Sequence, residues 1–411
     1  MPLLRLFAVF CLLIATGAEA ATKLQFLIPS AATGDANRLF HELARGFQQG
    51  APDVEVEVVS LSNYDDVVGR VISEAAAKRS AGLFVAELST TLELQAAGAI
   101  QPLDEALGAR FEDFKAELLP SFLGNSGDGK RFLSAPFFRS MPVAYYNLDA
   151  MAAAGFARDA LPTSWPAFES MLEGLTAKSG RPSFALGGDW YDWLFEGMAA
   201  TTSGGLRTDG RGIVLDSPGA MEALAFLQRL HKKGLLARSP GWKGTINAFS
   251  LGAFPVVYYS SGGAGLVEKA ARFAWTTSFM PRHSARFVPV GGGNLFLSAH
   301  MTADEKTAAL RFMAYLYSPA AQALLSESTG YFPVTRAAFG EASMVKRYGP
   351  AGAYARLHDN LPNATAKLMT FDNLKVRAIV KAAIDRTLDE GMPAGTSLAR
   401  AQREASGLLG K

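Results

Sequence analysis

The chain of 411 residues has a single cysteine, Cys11, which lies in an N-terminal segment that we expect to be removed on export. The mature protein would then contain no cysteine and could form no disulfide bond. A chain of this length, of which 49% is hydrophobic, can bury large cores and does not need disulfides to stay folded. The composition therefore predicts two or more compact domains.

An excess of charge of one sign and long apolar runs are also missing. The 40 Lys and Arg residues nearly balance the 38 Asp and Glu residues, which leaves a formal net charge of +2 at pH 7. So small a charge argues against a nucleic acid or a membrane surface as the partner. Beyond the N-terminus, no apolar run reaches the roughly 18 residues of a transmembrane helix. An anionic ligand would have to be held by local groups.

The N-terminus carries the pattern of a cleavable secretion signal. Arg5 precedes the apolar run Leu6–Ile14, and small residues follow up to Ala18-Glu19-Ala20. The apolar run is too short to span a bilayer, which needs about 20 residues. We expect residues 1–20 to be a signal peptide, cleaved near Ala20, and the mature chain to be a soluble exported protein.

The motifs of common enzyme classes are absent as well. Gly124–Lys130 resembles a phosphate-binding Walker A loop, but Arg131 replaces the Ser or Thr that would hold Mg²⁺, and a strand follows instead of a helix. A Gly-rich hairpin turn explains this segment. Ser261 lacks the preceding glycine of a hydrolase nucleophile elbow, and the five histidines are scattered. We expect no metal ion, no cofactor and no catalytic activity.

What the sequence does contain is an alternation of strands and helices. Lys23–Ile28, Val54–Val59 and Leu83–Leu88 have the pattern of strands, with helical segments between them. This alternation predicts βαβ units and a mostly parallel sheet. Tyr64 and Glu87 lie where two of these strands end, which is the edge at which such sheets bind ligands.

Helix starts are marked by capping residues. A serine or threonine side chain just before a helix accepts from the free N–H groups of its N-terminus. Proline in the first turn, or glutamate three residues after the cap, strengthens this signal. The predicted caps are Ser164, Ser217, Thr302 with Glu305, Ser318 and Thr396.

The stretch Arg131–Asp149 divides the chain into two such alternating sets. It has the pattern of two extended runs, because Pro136 and Pro142 prevent either from continuing as a helix. Asn147 then starts a turn into a short helix. The stretch predicts a strand that crosses between two lobes, and the alternative is an ordinary strand inside one large sheet.

Three polar segments in the second half are candidate ligand contacts. Ser260-Ser261-Gly262-Gly263, between a strand and a helix, offers hydroxyls and free N–H groups to an anion. Gly291-Gly292-Gly293 permits close approach of a ligand to the backbone. Arg377 can hold a phosphate in a bidentate manner. Taken singly, each is also compatible with a plain turn or a solvated charge.

Together these segments resemble the extracellular solute-binding proteins (family 1) of ABC importers, and most closely the periplasmic glycerol-3-phosphate-binding proteins. The matching segments lie between about residues 60 and 380, in the order of the family. They are APFFRSMPVAYYNLDAMAAAG, PTSWPAF, YSSGG, VGGGNLF, TGYFPVTRAAF and NLKVRAIV.

The resemblance implies an α/β, two-lobed periplasmic binding protein (Venus-flytrap) fold with three interlobe crossings, near residues 136–140, 288–294 and 332–336. Lobe 1 would comprise residues 21–138 and 291–333, and lobe 2 residues 139–290 and 334–411. The protein would be a periplasmic monomer that binds a small molecule between the lobes and delivers it to the transmembrane subunits of an ABC permease.

The resemblance also implies which positions contact the ligand. Tyr64, Glu87, Ser140 and Trp190 match family contacts, with the Glu87 carboxylate accepting hydrogen bonds from glycerol hydroxyls and Trp190 walling the glycerol end. The positions that match contacts at the phosphate end are Ser260, Ser261, Gly292, Tyr331 and Arg377.

The sequence departs from the family beside Trp190. Asp189 and Asp192 add negative charge there, which would favour a cationic head group such as that of glycerophosphocholine. We therefore expect either glycerol-3-phosphate or a glycerophosphodiester as the ligand. An oligosaccharide is the alternative within the binding proteins. A secreted phosphodiesterase is a second alternative, but it would need an activated nucleophile or a metal cluster, and the sequence shows neither.

Overall fold

The computed structural model describes residues 21–30, 37–202, 204–208, 212–239, 241–350 and 354–410. The expected signal peptide, residues 1–20, lies outside the described residues. Within the described ranges, no helix has the length and apolar character needed to cross a membrane.

The strands of the described chain are β1 (Thr22–Pro29), β2 (Val54–Leu61), β3 (Leu83–Glu87), β4 (Ala135–Ser140), β5 (Pro142–Asn147), β6 (Phe184–Leu186), β7 (Arg207–Thr208), β8 (Ile213–Val214), β9 (Leu236–Ala237), β10 (Val256–Ser260), β11 (Trp275–Ser278), β12 (Val288–Pro289), β13 (Gly291–Leu297) and β14 (Ala364–Thr365).

The α-helices are α1 (Asn37–Gly50), α2 (Tyr64–Ala76), α3 (Thr91–Ala96), α4 (Leu103–Leu107), α5 (Phe111–Glu117), α6 (Leu148–Ala153), α7 (Trp165–Ser179), α8 (Tyr191–Ala200), α9 (Pro218–Lys232), α10 (Trp242–Ser250), α11 (Ala264–Ala270), α12 (Ala303–Leu316), α13 (Pro319–Thr329), α14 (Ala342–Tyr348), α15 (Ala355–His358), α16 (Asn373–Leu388) and α17 (Ala394–Leu409).

Two five-stranded sheets organise the molecule. The first has the strand order β2-β1-β3-β13-β4 and the second β11-β5-β10-β6-β9. In the first, β1 is parallel to β2 and β3, as the alternation of strands and helices predicts. Strand β13 then lies antiparallel between β3 and β4. The sheet is therefore mixed instead of mostly parallel, because a strand from much later in the sequence completes it.

The predicted crossing between lobes is confirmed at Met141. This residue alone separates β4 of the first sheet from β5 of the second. The Met141 N–H donates to the Ser261 hydroxyl at 3.0 Å, and the Ser261 N–H donates to the Met141 carbonyl at 2.8 Å. Ser261 thus fixes the backbone at the point where the chain leaves the first sheet.

The domain boundaries stay a prediction. At the second expected crossing, β13 begins at Gly291, directly after β12, and β12 pairs in parallel with β14. At the third, Phe332 forms an antiparallel bridge with Arg139 of β4. Both segments lie close to the first crossing.

Buried aromatic side chains form the centres of the cores. Phe26 of β1 packs edge-on against Phe312 of α12, with ring centroids 5.4 Å apart. In the second sheet, Phe184 of β6 packs against Tyr258 of β10 at 4.6 Å. Fully burying one large apolar side chain stabilises the fold by about 1.5–3 kcal/mol. These cores hold rigid the strands whose ends carry the candidate site.

Most of the predicted caps are confirmed, and one is wrong. Ser164, Ser217 and Ser318 cap α7, α9 and α13, and Thr302 forms the capping box of α12. Thr396 does not cap the terminal helix, which begins two residues earlier at Ala394. The reason is that Pro393 is already extended, and its carbonyl accepts the first helical hydrogen bond, from Ser397.

The glycine-rich segment Gly124–Lys130 forms the predicted turn. Gly127 and Phe132 form an antiparallel bridge across it, and the Asp128 carboxylate accepts from the N–H groups of Lys130 and Arg131, each at 2.8 Å. The segment leads into β4 and not into a helix. It therefore lacks the helix N-terminus that a Walker A loop offers to phosphate.

Candidate ligand-binding site

A cavity of about 620 Å³ lies between the two sheets, at the carboxyl ends of β2, β3 and β10. It brings together eight of the nine residues that the sequence analysis predicts as ligand contacts: Tyr64, Glu87, Ser140, Trp190, Ser260, Gly292, Tyr331 and Arg377. Ser261, the ninth, does not line the cavity; it is fully buried against Met141.

Tyr64 is placed by the start of a helix. Asn63 caps α2, its side chain accepting from the Asp66 N–H at 2.9 Å, so that Tyr64 is the first helical residue after β2. Its ring meets that of Trp190 edge-on, with centroids 6.1 Å apart. Burial raises the pKa of Tyr64 well above its usual value, so the hydroxyl stays protonated and can donate a hydrogen bond to a ligand.

Glu87 is the last residue of β3 and is 1% exposed. One carboxylate oxygen accepts from the N–H of Ser89 at 2.9 Å and also from the Ser89 hydroxyl. The other accepts from the ammonium of Lys367 at 2.9 Å. Both oxygens therefore have partners within the protein, and a ligand hydroxyl would share them.

Lys367 is a site residue that sequence reasoning missed. It lines the cavity, and its side chain is 3% exposed. Its partner Glu87 lies 280 residues away in the sequence. The surrounding segment, Ala366-Lys367-Leu368, matches no motif, so nothing local could have marked it.

Arg377 lies on α16 at the inner wall of the cavity and is 9% exposed. Its Nε donates to Asp192 at 3.0 Å, and its guanidinium carbon lies 3.9 Å from the centroid of the Trp190 ring. Residues that the resemblance assigns to opposite ends of the ligand, Trp190 and Arg377, are thus in contact. Burial would lower the pKa of Arg377, but the Asp192 and Glu87 charges raise it, so the arginine stays charged.

The two carboxylates beside Trp190 have partners of their own. Asp192 is 4% exposed and pairs with Arg377. Burial would raise the pKa of Asp192, but the charges of Arg377, Lys367 and Lys381 lower it. Asp189 lines the cavity and accepts from the N–H of Trp242 at 2.9 Å. The sequence-based idea of two uncompensated negative charges therefore holds only in part, because Asp192 is neutralised.

Three tryptophans line the cavity, whereas the sequence predicts only Trp190 as a ligand contact. The indole N–H of Trp193 donates to the carbonyl of Pro289 at 3.1 Å. Trp242 stacks on Tyr259 with ring centroids 3.8 Å apart. These contacts hold two of the rings in place and leave an aromatic wall beside the polar groups.

Ser260, Gly292 and Tyr331 are three further predicted contacts that line the cavity. The Ser260 hydroxyl accepts from the Gly262 N–H at 3.1 Å. Gly292 has a φ of +108°, and an added Cβ would lie 2.3 Å from the carbonyl oxygen of Phe138, so this position requires glycine. Tyr331 stacks on Phe138 at 4.9 Å.

Side chains of Asn125 and Glu196 hold the backbone around Lys367 in place. The Lys367 N–H and carbonyl both bond to the side-chain amide of Asn125, each at 2.9 Å. The next N–H, of Leu368, donates to the carboxyl group of Glu196 on α8 at 2.6 Å. Burial raises the pKa of Glu196 to about 8, so its neutral form dominates at neutral pH.

Two kinds of chemistry meet in this cavity. Arg377 and Lys367 are donors suited to anionic oxygen atoms, while Glu87 is an acceptor suited to hydroxyls. The tryptophans offer apolar faces. Among the described residues, no group of three or more His, Asp or Glu side chains is placed to hold a metal ion.

Sequence comparison relates the chain to known proteins. The profile of the bacterial extracellular solute-binding proteins matches residues 42–349. The sn-glycerol-3-phosphate-binding periplasmic protein UgpB of Brucella abortus (strain 2308) is 25% identical over 399 residues, which cover 92% of this chain and 91% of the relative. The protein of the same name from Rhizobium meliloti (strain 1021) is 27% identical over 406 residues, or 93% of each chain.

Solved structures share the fold. UgpB from Mycobacterium tuberculosis, in complex with glycerophosphocholine, superposes with a TM-score of 0.83 at 24% identity, covering 95% of this chain and 98% of the other. The GacH receptor of Streptomyces glaucescens, studied unliganded and with acarbose, gives a TM-score of 0.81 at 18% identity, covering 96% and 100%. These proteins and the present chain have the same two-lobed α/β architecture.

Proposed function

The chain belongs to the bacterial extracellular solute-binding proteins, and from this membership we propose that it captures glycerol-3-phosphate or a glycerophosphodiester in the periplasm and delivers it to an ABC permease. The names of the relatives from Brucella and Rhizobium support the phosphate-containing ligand. The proposed contacts are the predicted residues that line the cavity: Tyr64, Glu87, Ser140, Trp190, Ser260, Gly292, Tyr331 and Arg377.

The proposal rests mainly on the unused hydrogen-bond donors of Arg377. Only its Nε makes a hydrogen bond within the described residues, and Nη1 lies 3.8 Å from an oxygen of Asp65, beyond hydrogen-bond distance. A guanidinium has five N–H donors, and those of the two Nη groups suit bidentate binding of a phosphate. Because Arg377 is buried and lines the cavity, a phosphate held there would be shielded from water.

The role is binding without chemistry. Ser140 and Ser260 line the cavity, and no histidine lines it among the described residues. Within the described residues, the Ser260 hydroxyl accepts from the backbone N–H of Gly262, and no hydrogen bond joins either serine hydroxyl to a side chain that could activate it as a nucleophile. Enclosure of the ligand by two lobes would supply the differential affinity that shifts an open form towards a closed one.

An oligosaccharide is the second candidate ligand, and the aromatic wall favours it. Trp190, Trp193 and Trp242 all line the cavity. Its volume of about 620 Å³ is within the usual range for ligands much larger than glycerol-3-phosphate. Aromatic faces stack on sugar rings, but a sugar would leave the Nη groups of Arg377 without an anionic partner.

Calorimetry on the exported chain, freed of co-purified ligand, distinguishes these candidates. The titrants are glycerol-3-phosphate, glycerophosphocholine, glycerol, inorganic phosphate and maltose. We expect binding of at least one of the two glycerol phosphates, far weaker binding of inorganic phosphate, and none of maltose. Binding of maltose without either glycerol phosphate would replace the proposal with the sugar-binding alternative.

A further inference from the structure

Lys367 is a buried cation whose donors are mostly uncommitted. An ammonium group has three N–H donors and accepts no hydrogen bond. Within the described residues, the Lys367 ammonium bonds only to Glu87, at 2.9 Å. Its side chain is 3% exposed, and the residue lines the cavity. Two donors of a desolvated charge therefore remain for whatever the cavity holds.

The position of this ammonium is fixed from several directions. Asn125 holds the Lys367 backbone by two hydrogen bonds of 2.9 Å. The ammonium nitrogen lies 4.9 Å from the centroid of the Trp190 ring. A flexible lysine on the surface would lose much side-chain entropy on binding a ligand, but this one is already ordered.

Lys367 and Arg377 flank the same indole. The guanidinium carbon of Arg377 is 3.9 Å from the Trp190 ring centroid, and each cation has one buried carboxylate partner, Glu87 or Asp192. Each pair is neutral as a whole, yet each cation keeps free N–H donors. A buried donor without an acceptor costs about 1–3 kcal/mol, and more when charged. The arrangement therefore calls for a ligand rich in acceptor oxygen atoms beside Trp190.

We propose that Lys367 is a second ligand-binding cation, which together with Arg377 holds the anionic oxygen atoms of the ligand. This inference rests on the proposed function and adds to it a specificity-determining residue. Anionic oxygens suit these donors better than hydroxyls, because opposite charges attract each other strongly in a desolvated site, whereas a hydroxyl carries no net charge. Lys367 thereby selects phosphate-bearing polyols over neutral sugars of the same size.

The first test compares Lys367→Met with Lys375→Met. Lys375 is a matched control, since its side chain is 67% exposed and pairs with Asp372 at 2.7 Å on the surface. Calorimetry with glycerol-3-phosphate should show about 10- to 100-fold weaker binding for Lys367→Met and no change for Lys375→Met. Lys367→Arg, which keeps the charge, should recover part of the loss. Should the methionine variant fail to fold, Lys367→Gln is measured in its place, with the same expectation.

A second variant separates contact with the ligand from simple neutralisation of Glu87. In Lys367→Met/Glu87→Gln no buried charge is left unpaired at this point. If Lys367 only neutralises Glu87, the double variant binds inorganic phosphate as the wild type does, and the inference is overturned. If Lys367 contacts the anion, the double variant still binds inorganic phosphate more weakly.

Two further outcomes of the calorimetry also decide whether Lys367 binds the ligand. A wild type that binds glycerol-3-phosphate or glycerophosphocholine while Lys367→Met binds it equally well overturns the inference and leaves the proposed function intact. A wild type that binds neither ligand overturns both.

Discussion

The guanidinium group of Arg377 stacks on the indole of Trp190, with 3.9 Å between its central carbon and the ring centroid. Asp192 accepts a 3.0 Å hydrogen bond from the Nε of the same arginine. Within the described residues neither Nη group makes a hydrogen bond, so their donors remain for a ligand. The charge of a bound phosphate would then be compensated without a metal ion.

Replacement of Arg377 by Ala should weaken the binding of glycerol-3-phosphate by about 2–5 kcal/mol, because the phosphate would then be buried without its bidentate partner. Calorimetry measures the loss. Arg377→Lys keeps the charge but not the planar fork, so it should fall between alanine and wild type. Arg400→Ala, on a surface pair with Glu404, is the control. Near wild-type affinity in Arg377→Ala would contradict the assignment.

Replacement of Glu87 by Gln should weaken glycerol-3-phosphate more than inorganic phosphate. The variant removes an acceptor for glycerol hydroxyls, which inorganic phosphate does not use in this way. It also removes the negative charge that pairs with the Lys367 ammonium at 2.9 Å, which favours any anion. Calorimetry with both ligands gives the ratio of affinities. Equal losses for the two would place Glu87 outside the hydroxyl-binding part of the site.

Stability should depend on pH through Glu196. Its pKa is about 8 in the folded protein, against an ordinary value of 4.5, because the group is buried. Between these two pH values the folded state holds a proton that the unfolded chain has lost, so the contribution of Glu196 to stability is full below pH 4.5 and is lost as pH rises towards 8. Urea unfolding of wild type at pH 5 and pH 8 should show a difference of about 3 kcal/mol from this group.

Glu196→Gln should remove that part of the pH dependence, since glutamine does not titrate. Glu173→Gln is the matched control, because Glu173 is a half-exposed carboxylate in a surface pair with Lys233. An unaltered slope in Glu196→Gln would show that Glu196 is ionised in the folded protein at neutral pH.

Gly292 should tolerate no side chain. Gly292→Ala forces a φ of +108° on alanine and brings its Cβ to 2.3 Å from the carbonyl oxygen of Phe138. We expect a loss of stability of roughly 2 kcal/mol or more in urea unfolding. Gly391→Ala separates strain from collision, because Gly391 has a φ of +75° but no heavy atom within 4 Å of the added Cβ. Equal losses in the two variants would attribute the effect to strain alone.

Local sequence patterns were sufficient for most of the fold. The caps at Ser164 and Thr302 depend on residues within three positions of each other, so the sequence shows them directly. The crossing at Met141 follows from prolines and β-rich residues around it. The family resemblance is confirmed by the profile match over residues 42–349, and the sequence could show it because its motifs are contiguous segments.

The site was predictable only where a motif marks it. Tyr64 and Glu87 could be placed because strand ends meet at one edge of a sheet. Lys367 could not, since its partner lies 280 residues away and only the folded chain brings them together. Ser261 shows the opposite error, because a motif marks it although it does not line the cavity. It belongs to the YSSGG motif, but its hydroxyl accepts from Met141 instead of facing the cavity.

Ligand should compact the protein without changing its secondary structure. The chain passes from the first sheet to the second through Met141. Among the described strands, none of one five-stranded sheet pairs with a strand of the other. Two bodies connected in this way can close about short segments that absorb changes in φ and ψ. Small-angle scattering should give a smaller radius of gyration with a ligand that calorimetry shows to bind, while circular dichroism stays constant. Arg377→Ala at the same ligand concentration is the control and should keep the larger radius. An unchanged radius in the wild type would contradict hinge closure, and release of phosphate or choline during incubation would contradict a role limited to binding.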